Sequence, residues 1–105
     1  MLRHLSVGGG IREYRSKAQQ DISDAIQWYQ KKDKNLAKQL LSNLHNSFNI
    51  ILENPNLFQK RHNEIRIIST EIFPYTIYFT VEKDIVFVHA ILHNRMNQRK
   101  GIARV

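Results

Sequence analysis

A chain of 105 residues with two prolines, four glycines and no cysteine has the length of one domain. The sequence predicts a flexible extension at residues 1–10 followed by a single domain at residues 11–105. A hydrophobic content of 42% is enough for one core, which excludes a multidomain enzyme that carries its own cofactor fold. The absence of cysteine excludes a disulfide scaffold, a thiolate metal site and a cysteine nucleophile.

The charge of the chain narrows the class of partner. Sixteen Lys and Arg against nine Asp and Glu give +7 and a pI near 10, so the surface attracts nucleic acid, anionic lipid or an acidic protein. No acidic residue follows Asp84, and Lys60–His62 with Arg66 forms a second basic region. The cations of the last thirteen residues are Arg95, Arg99, Lys100 and Arg104. The plainer alternative is a solvated basic tail that only aids solubility.

Hydropathy and the first residues predict where the protein is found. No apolar run approaches the roughly 18 to 20 residues that span a bilayer, and residues 1–7 lack the apolar block of a signal peptide. We therefore expect no membrane association and a cytoplasmic location.

The first half of the chain predicts one strand and one helix. Ile11–Arg15 is a plausible short strand after the flexible run Gly8–Gly10. Ser16 and Gln19 have the spacing of a capping box, which predicts that a helix begins at Ser16. That helix should be amphipathic and about 15 residues long. Its apolar positions are Ala18, Ile22, Ala25, Ile26 and Tyr29.

A second helix follows a polar break at Lys31–Asn35, where Asp33 or Asn35 can serve as the N-terminal cap. It should end before Pro55, because proline disfavours helical geometry in the preceding residue. The linker is so short that the two helices must form an antiparallel hairpin. The apolar stripe of the second helix consists of Leu36, Leu40, Leu41, Leu44, Phe48, Ile51 and Leu52.

The rest of the chain has the pattern of strands. Ile65–Ile68, Tyr75–Val81 and Ile85–Leu92 are rich in β-branched and aromatic residues. The polar connection Glu82–Asp84 is short enough to join the last two strands as an antiparallel hairpin. The sequence therefore predicts an α+β fold in which a helical hairpin packs on an antiparallel sheet of three or four strands.

Four short signals occur in this order: Ala18 through Trp28-Tyr29, Asn54–Phe58, Phe73–Tyr75 and His93–Arg95. With them the chain resembles the RelE/ParE superfamily of bacterial toxins from type II toxin–antitoxin modules, and within it the ParE-like branch. The resemblance extends from about Ser16 to Lys100 and implies the order β-α-α-β-β-β.

The resemblance implies a small toxin that forms a complex with a cognate antitoxin, whose acidic and partly disordered segment folds over the toxin. The charge of +7 favours an acidic partner of that kind. ParE-like members are associated with poisoning of DNA gyrase, and RelE-like members cut messenger RNA on the ribosome. A degenerate member that only binds its antitoxin is a third alternative. No cofactor is implied.

Candidate target-binding residues lie late in the chain. Arg95, Arg99 and Lys100 follow the last strand in a stretch without acids, and loops after a rigid strand are a common place for function. Tyr78 and Ile77 are adjacent in a predicted strand, so their side chains point to opposite faces. If the helices cover the Ile77 face, Tyr78 points to an open face of the sheet. Trp28 and Tyr29 project about 100° apart on the first helix, so one of them can face the core; the alternative is that both do.

The ribonuclease alternative requires an acid or base and cations for the phosphorane charge. This chain offers His93 with Arg66 and Arg95. That set is thin, because Thr76 falls near the position where such a nuclease carries an arginine. His93 has an equally good structural role as a cap of the sheet edge, bonded to a neighbouring backbone carbonyl. His89, inside a strand, is expected to be a core histidine, and the scattered histidines predict no metal site.

Overall fold

The computed structural model of the protein describes residues 3–7, 10–96 and 98–104. The helices are α1 (Ser16–Lys32), α2 (Lys34–Glu53) and α3 (Gln98–Ile102), with one turn of 3-10 helix at Pro55–Leu57. The strands are β1 (Arg3–Val7), β2 (Gly10–Tyr14), β3 (Lys60–His62), β4 (Ile65–Ser69), β5 (Tyr75–Glu82) and β6 (Ile85–His93). A helical pair packed on a largely antiparallel sheet confirms the predicted α+β fold. None of the described helices combines the length and the apolar character needed to cross a bilayer.

The helical hairpin forms as predicted. α1 begins at Ser16. Its N-cap position is occupied by Arg15 and not by the serine of the predicted capping box, and the Arg15 side chain makes no capping hydrogen bond. A single residue, Asp33, separates the helices; its amide donates to the Tyr29 carbonyl, and its carboxylate accepts from the Asn35 amide at 2.8 Å. Asp33 therefore ends one helix and caps the next, which fixes the tight reversal.

The strands β4, β5 and β6 form the predicted antiparallel core of the sheet. The β5–β6 hairpin turns through Lys83 and Asp84, whose φ angles of 49° and 66° are both positive. A two-residue turn of this kind matches the right-handed twist of the flanking strands. The register pairs Glu82 with Ile85 next to the turn and Tyr75 with His93 at the opposite end of the hairpin.

The sheet is wider than the sequence predicted. Its six strands have the order β1-β2-β6-β5-β4-β3, and β2 runs parallel to β6. The sequence predicted a flexible extension over residues 1–10, but within that range Arg3–Val7 pairs in antiparallel orientation with Gly10–Tyr14. Met1, Leu2, Gly8 and Gly9 lie outside the described residues. β3 was also missed, because a three-residue polar edge strand has no apolar alternation to reveal it.

A bulge in β6 decides which side chains face the helices. Val88 pairs with Phe79 and Ala90 pairs with Tyr78, so His89 is an extra residue on its strand. The helix-side core takes its strand side chains from β5 and β6 and its largest helical side chains from α2. These side chains are Tyr75, Ile77, Phe79, Val86, Val88, Ile91, Leu40, Leu44, Phe48, Ile51 and Leu52.

The opposite side of the sheet, which we call the far face, is not open. Tyr78 is only 2% exposed and packs with Ile65, Ala90 and Leu92 beneath α3. Gly101 of α3 lies against the Tyr78 ring so closely that an added Cβ would fall 2.4 Å from ring carbons. The alternation of β5 was predicted correctly, but the exposure of Tyr78 was wrong, because a five-residue basic helix without an apolar stripe gave no sign that it would cover this face.

Candidate functional site: a groove at the end of β6

A groove of about 560 Å³ lies between α1 and the ends of β5 and β6. Its walls bring together Trp28 from α1, Tyr75 from β5 and His93 from β6. Arg95 and Met96, from the loop after β6, close one side. The groove thus contains members of three of the four sequence signals that carry the family resemblance.

Aromatic rings form the floor and rim of the groove. Tyr29 lies edge-to-face against Trp28 at 4.8 Å and against Phe73 at 5.1 Å, and Tyr75 contacts the His93 ring at 5.4 Å. Tyr29 packs on the core, whereas Trp28 is 54% exposed, as expected if only one of the adjacent aromatics faces inward. An exposed indole held in place by a partly buried aromatic neighbour is a suitable anchor for a protein partner.

The loop that carries Phe73 is held by buried polar side chains. The Asn43 side-chain oxygen, on α2, accepts from the amides of Ile72 at 3.4 Å and Phe73 at 3.5 Å. The Thr70 hydroxyl bonds to the Phe73 and Tyr75 carbonyls. Sequence reasoning missed Asn43, whose only sequence signal is a polar residue at a position of α2 that faces the protein interior.

His93 orients the loop that follows it. Its Nδ1 accepts a hydrogen bond from the Arg95 amide at 3.0 Å, and its carbonyl accepts from the Met96 amide at 2.8 Å. The predicted bond to a neighbouring backbone carbonyl is therefore replaced by a bond from a backbone amide. With Nδ1 accepting, the proton of the neutral ring sits on Nε2. Thr76 supports the same turn, since its hydroxyl donates to the Asn94 side-chain oxygen at 2.6 Å.

An ion pair ties the end of the chain to the groove wall. Arg104 donates to both carboxylate oxygens of Asp21 at 3.0 and 3.1 Å and to the His89 carbonyl at 3.3 Å. Asp21 also accepts from the Ile91 amide at 3.0 Å. The His89 carbonyl and the Ile91 amide lie on the edge of β6, beyond Val88, where the pairing with β2 has ended. Asp21 and Arg104 therefore satisfy backbone groups that another strand would otherwise bind.

The basic residues of the C-terminal stretch have different roles. Arg104 is committed to Asp21 and is part of the fold. Arg95 lines the groove with an exposed side chain, and Arg99 and Lys100 are exposed on α3. Tyr78, predicted to share this surface, lies beneath α3. Tyr78 and the partly exposed Arg104 therefore support the fold, whereas Arg95, Arg99 and Lys100 form an exposed basic surface.

Arg66 lies away from the groove. Its guanidinium donates to the carbonyls of Asn56 and Phe58 and so holds the loop after α2. Arg66 pairs with Phe79, whereas His93 pairs with Tyr75 on the other side of β5. The two pairs are four positions apart along β5, which separates Arg66 from His93 by about 13 Å along the strands. The two strand spacings from β4 to β6 separate them by about 10 Å more across the sheet. The structure does not bring together the three residues of the predicted ribonuclease set.

The histidines do not form a metal cluster in the described part of the chain. No group of three or more His, Asp or Glu side chains there could hold an ion. His89 is the core histidine that the sequence predicted, 7% exposed and bonded to the Thr80 hydroxyl at 2.8 Å.

The fold and the groove place the protein in the RelE/ParE-like class of α+β domains. The model of the family described as "ParE toxin of type II toxin-antitoxin system, parDE" matches residues 12–98. The chain therefore belongs to the ParE toxin family, and membership implies an antitoxin partner.

One solved structure that is similar in fold is described as the chromosomal ParDE toxin–antitoxin system from P. aeruginosa. The match covers 78% of this chain and 91% of that chain, with a TM-score of 0.68 and 15% sequence identity. A comparison with curated proteins gives no match. At this level of identity the structural likeness supports the fold.

Proposed function

We propose that this protein inhibits growth by binding DNA gyrase through the groove and the basic surface formed by Arg95, Arg99 and Lys100. Membership of the ParE family supports the class of target. The observation that carries the proposal is that two exposed side chains, Trp28 and Arg95, line the same groove beside the half-buried His93. An aromatic anchor beside exposed cations is the composition expected of a surface that binds a large protein.

The antitoxin neutralises the toxin by covering the same surface. An acidic segment is attracted by the charge of +7 and gains specificity when an apolar side chain enters the groove between Trp28 and Met96. The helical hairpin and the end of β6 are the elements in reach. A segment that is disordered when free can order along them on binding.

The test of the target surface is the double substitution Arg95→Ala with Arg99→Ala. Growth inhibition should be lost while the far-ultraviolet circular dichroism and the melting temperature stay close to those of the parent. The matched control removes two exposed cations elsewhere, Lys38→Ala with Arg61→Ala. Equal loss of toxicity in both double variants would show that overall charge, and not this surface, drives target binding.

The nature of the target is tested by expression from a tightly regulated promoter. A gyrase binder should induce the DNA damage response and inhibit supercoiling by purified gyrase, whereas a ribonuclease should cleave ribosome-bound messenger RNA. His93→Gln separates the mechanisms further. Loss of a proton-transfer group lowers a cleavage rate by about 100-fold or more, whereas a binder should keep most of its potency. Ribosome-dependent cleavage that disappears in a normally folded His93 variant would overturn the gyrase proposal.

A further inference from the structure

A second cavity, of about 800 Å³, lies on the far face beside α3, and we call it the basin. Thr80 of β5 and His89 of β6 form its floor, and Arg15 forms one wall. The β3–β4 turn, residues 62–65, and Ile102 of α3 form the other walls. The basin and the groove have no lining residue in common, and the proposed function does not use the basin.

The floor of the basin is polar where a sheet face is usually apolar. Thr80 and His89 are 6% and 7% exposed, and the Thr80 hydroxyl lies 2.8 Å from Nε2 of His89. No hydrogen bond among the described residues engages Nδ1 of His89. Buried polar groups in proteins are nearly always hydrogen-bonded to protein, water or ligand. Nδ1 of His89 is therefore available to a ligand in the cavity that this residue lines.

The charge at the basin comes from Arg15. Its guanidinium carbon lies 4.8 Å from the Phe87 ring centroid, which holds the side chain across the sheet beside the floor. Burial, with a smaller contribution from the Arg15 charge, lowers the pKa of His89 to about 4. The imidazole is therefore neutral at pH 7. When the Thr80 hydroxyl donates to Nε2, Nδ1 carries the proton and is a donor.

The other titratable groups of the basin lie at its rim. Glu64 is exposed and is bound to Lys60 at 2.8 Å, which offsets its charge. Glu82 and His62 are exposed at the ends of β5 and β3. The basin is thus lined by the Arg15 guanidinium, the His89 imidazole and the Thr80 hydroxyl. The carboxylates of Glu64 and Glu82 are exposed to solvent.

We propose that the basin binds a small phosphate-bearing molecule, whose oxyanion bonds to the Arg15 guanidinium and to Nδ1 of His89. A guanidinium presents two parallel N–H groups that match phosphate oxygens. The neutral imidazole adds a directed donor without the desolvation cost of a second buried charge. Arg15 disfavours a cation at the same place. The rim groups Glu82 and His62 are available to the non-phosphate part of the ligand.

The experiment follows the His89 imidazole resonances of the full chain by NMR while inorganic phosphate is added. Saturable changes are expected, and the pKa of His89 should rise from its free value because a bound oxyanion favours the protonated ring. A parallel titration with sodium chloride at matched ionic strength serves as the control. Equal changes in chloride, or none in phosphate, would overturn the proposal.

Variants separate a built site from general attraction to a basic surface. Arg15→Gln should weaken phosphate binding at least tenfold, whereas Arg61→Gln, which removes an exposed arginine outside the basin, should leave it within twofold. Thr80→Val should weaken binding while the melting temperature reports whether the fold is kept. Equal weakening by the two arginine variants would overturn the assignment. Binding of a single-stranded RNA or a duplex DNA without any inorganic phosphate binding would do the same.

Discussion

The two faces of the sheet are covered in different ways. The helix side carries a wide apolar core, in which Phe48 is 2% exposed and packs edge-to-face on Tyr14 at 5.2 Å. The far face has a small cluster around Tyr78 and a polar floor of Thr80 and His89, covered in part by a five-residue helix. The helix side therefore depends on buried apolar area, whereas the far face depends on a few specific contacts.

This contrast predicts that the faces respond to different perturbations. Removal of volume should affect mainly the helix side. Protonation, and the displacement of α3, should affect mainly the far face. Four measurements of stability compare the two faces, from the largest expected effect to the smallest.

Phe48→Ala on the helix side should lower the free energy of unfolding by about 3 to 5 kcal/mol, because it leaves a cavity between α2 and the sheet. Leu44→Ala, at a position that is 1% exposed, should lower it by about 2 to 5 kcal/mol. Urea denaturation measures both. Leu41→Ala is the control on the same helix, because Leu41 is 42% exposed and should change stability far less. Midpoints equal to that of the parent for Phe48→Ala and Leu44→Ala would show that this stripe is not core.

Acid should destabilise the far face through His89. Its pKa is lowered to about 4 in the folded protein from about 6.5 when unfolded, so between these values the unfolded state binds more protons. Stability should fall as the pH drops from 6.5 to 4, by about 3 kcal/mol from this residue. Denaturation at several pH values measures the slope.

The control for the acid effect is a pair of histidine substitutions. His89→Gln should flatten the pH dependence, although it also lowers stability at pH 7. His45→Gln removes an exposed histidine from α2 and should leave the slope unchanged. If the two variants had the same slope as the parent, protonation of His89 would not couple to unfolding.

Gly101→Ala should displace α3, since the new methyl group would meet the Tyr78 ring at 2.4 Å. Overpacking of this kind lowers stability by about 1 to 3 kcal/mol. Amide hydrogen exchange should show loss of protection in α3 and around Tyr78, with α2 little changed. Lys100→Ala, at the exposed neighbouring position, should be nearly neutral. Protection of α3 that is unchanged in the Gly101 variant would mean that the helix does not depend on this close contact.

Asp21→Asn should have the smallest effect, about 1.5 kcal/mol. The amide oxygen of asparagine can still accept from the Ile91 amide, but the ion pair with Arg104 is lost. A double-mutant cycle with Arg104→Gln isolates the pairwise coupling between the two side chains. Strict additivity of the two substitutions would show that the ion pair does not link α1 to the end of the chain.

The sequence predicted the elements whose own side chains form a long periodic pattern. The α1 and α2 stripes and the β-branched runs of β5 and β6 bury enough apolar surface to determine structure locally. The groove could be predicted in part, because Trp28, Tyr75, His93 and Arg95 belong to recognisable signals. Their convergence required the register that pairs Tyr75 with His93.

The features that the sequence did not predict depend on contacts between residues that are distant along the chain. β2 pairs with β6 across about seventy positions, and nothing in Gly10–Tyr14 indicates that partner. α3 has five residues, too few for a stable isolated helix, so its formation depends on Tyr78 and Gly101. The burial of Tyr78 and the bulge at His89 could not be derived from alternation alone, since both follow from tertiary packing.

The bond between Arg104 and Asp21 has a consequence for the timing of synthesis. Asp21 emerges early from the ribosome, but its partner is 83 positions later along the chain. The edge of β6 that β2 leaves unpaired is therefore completed only after Arg104 has itself left the ribosome. A nascent chain from which Arg104 has not emerged lacks this ion pair, and a substitution that removes Arg104 would leave the same edge of β6 uncovered in the released protein.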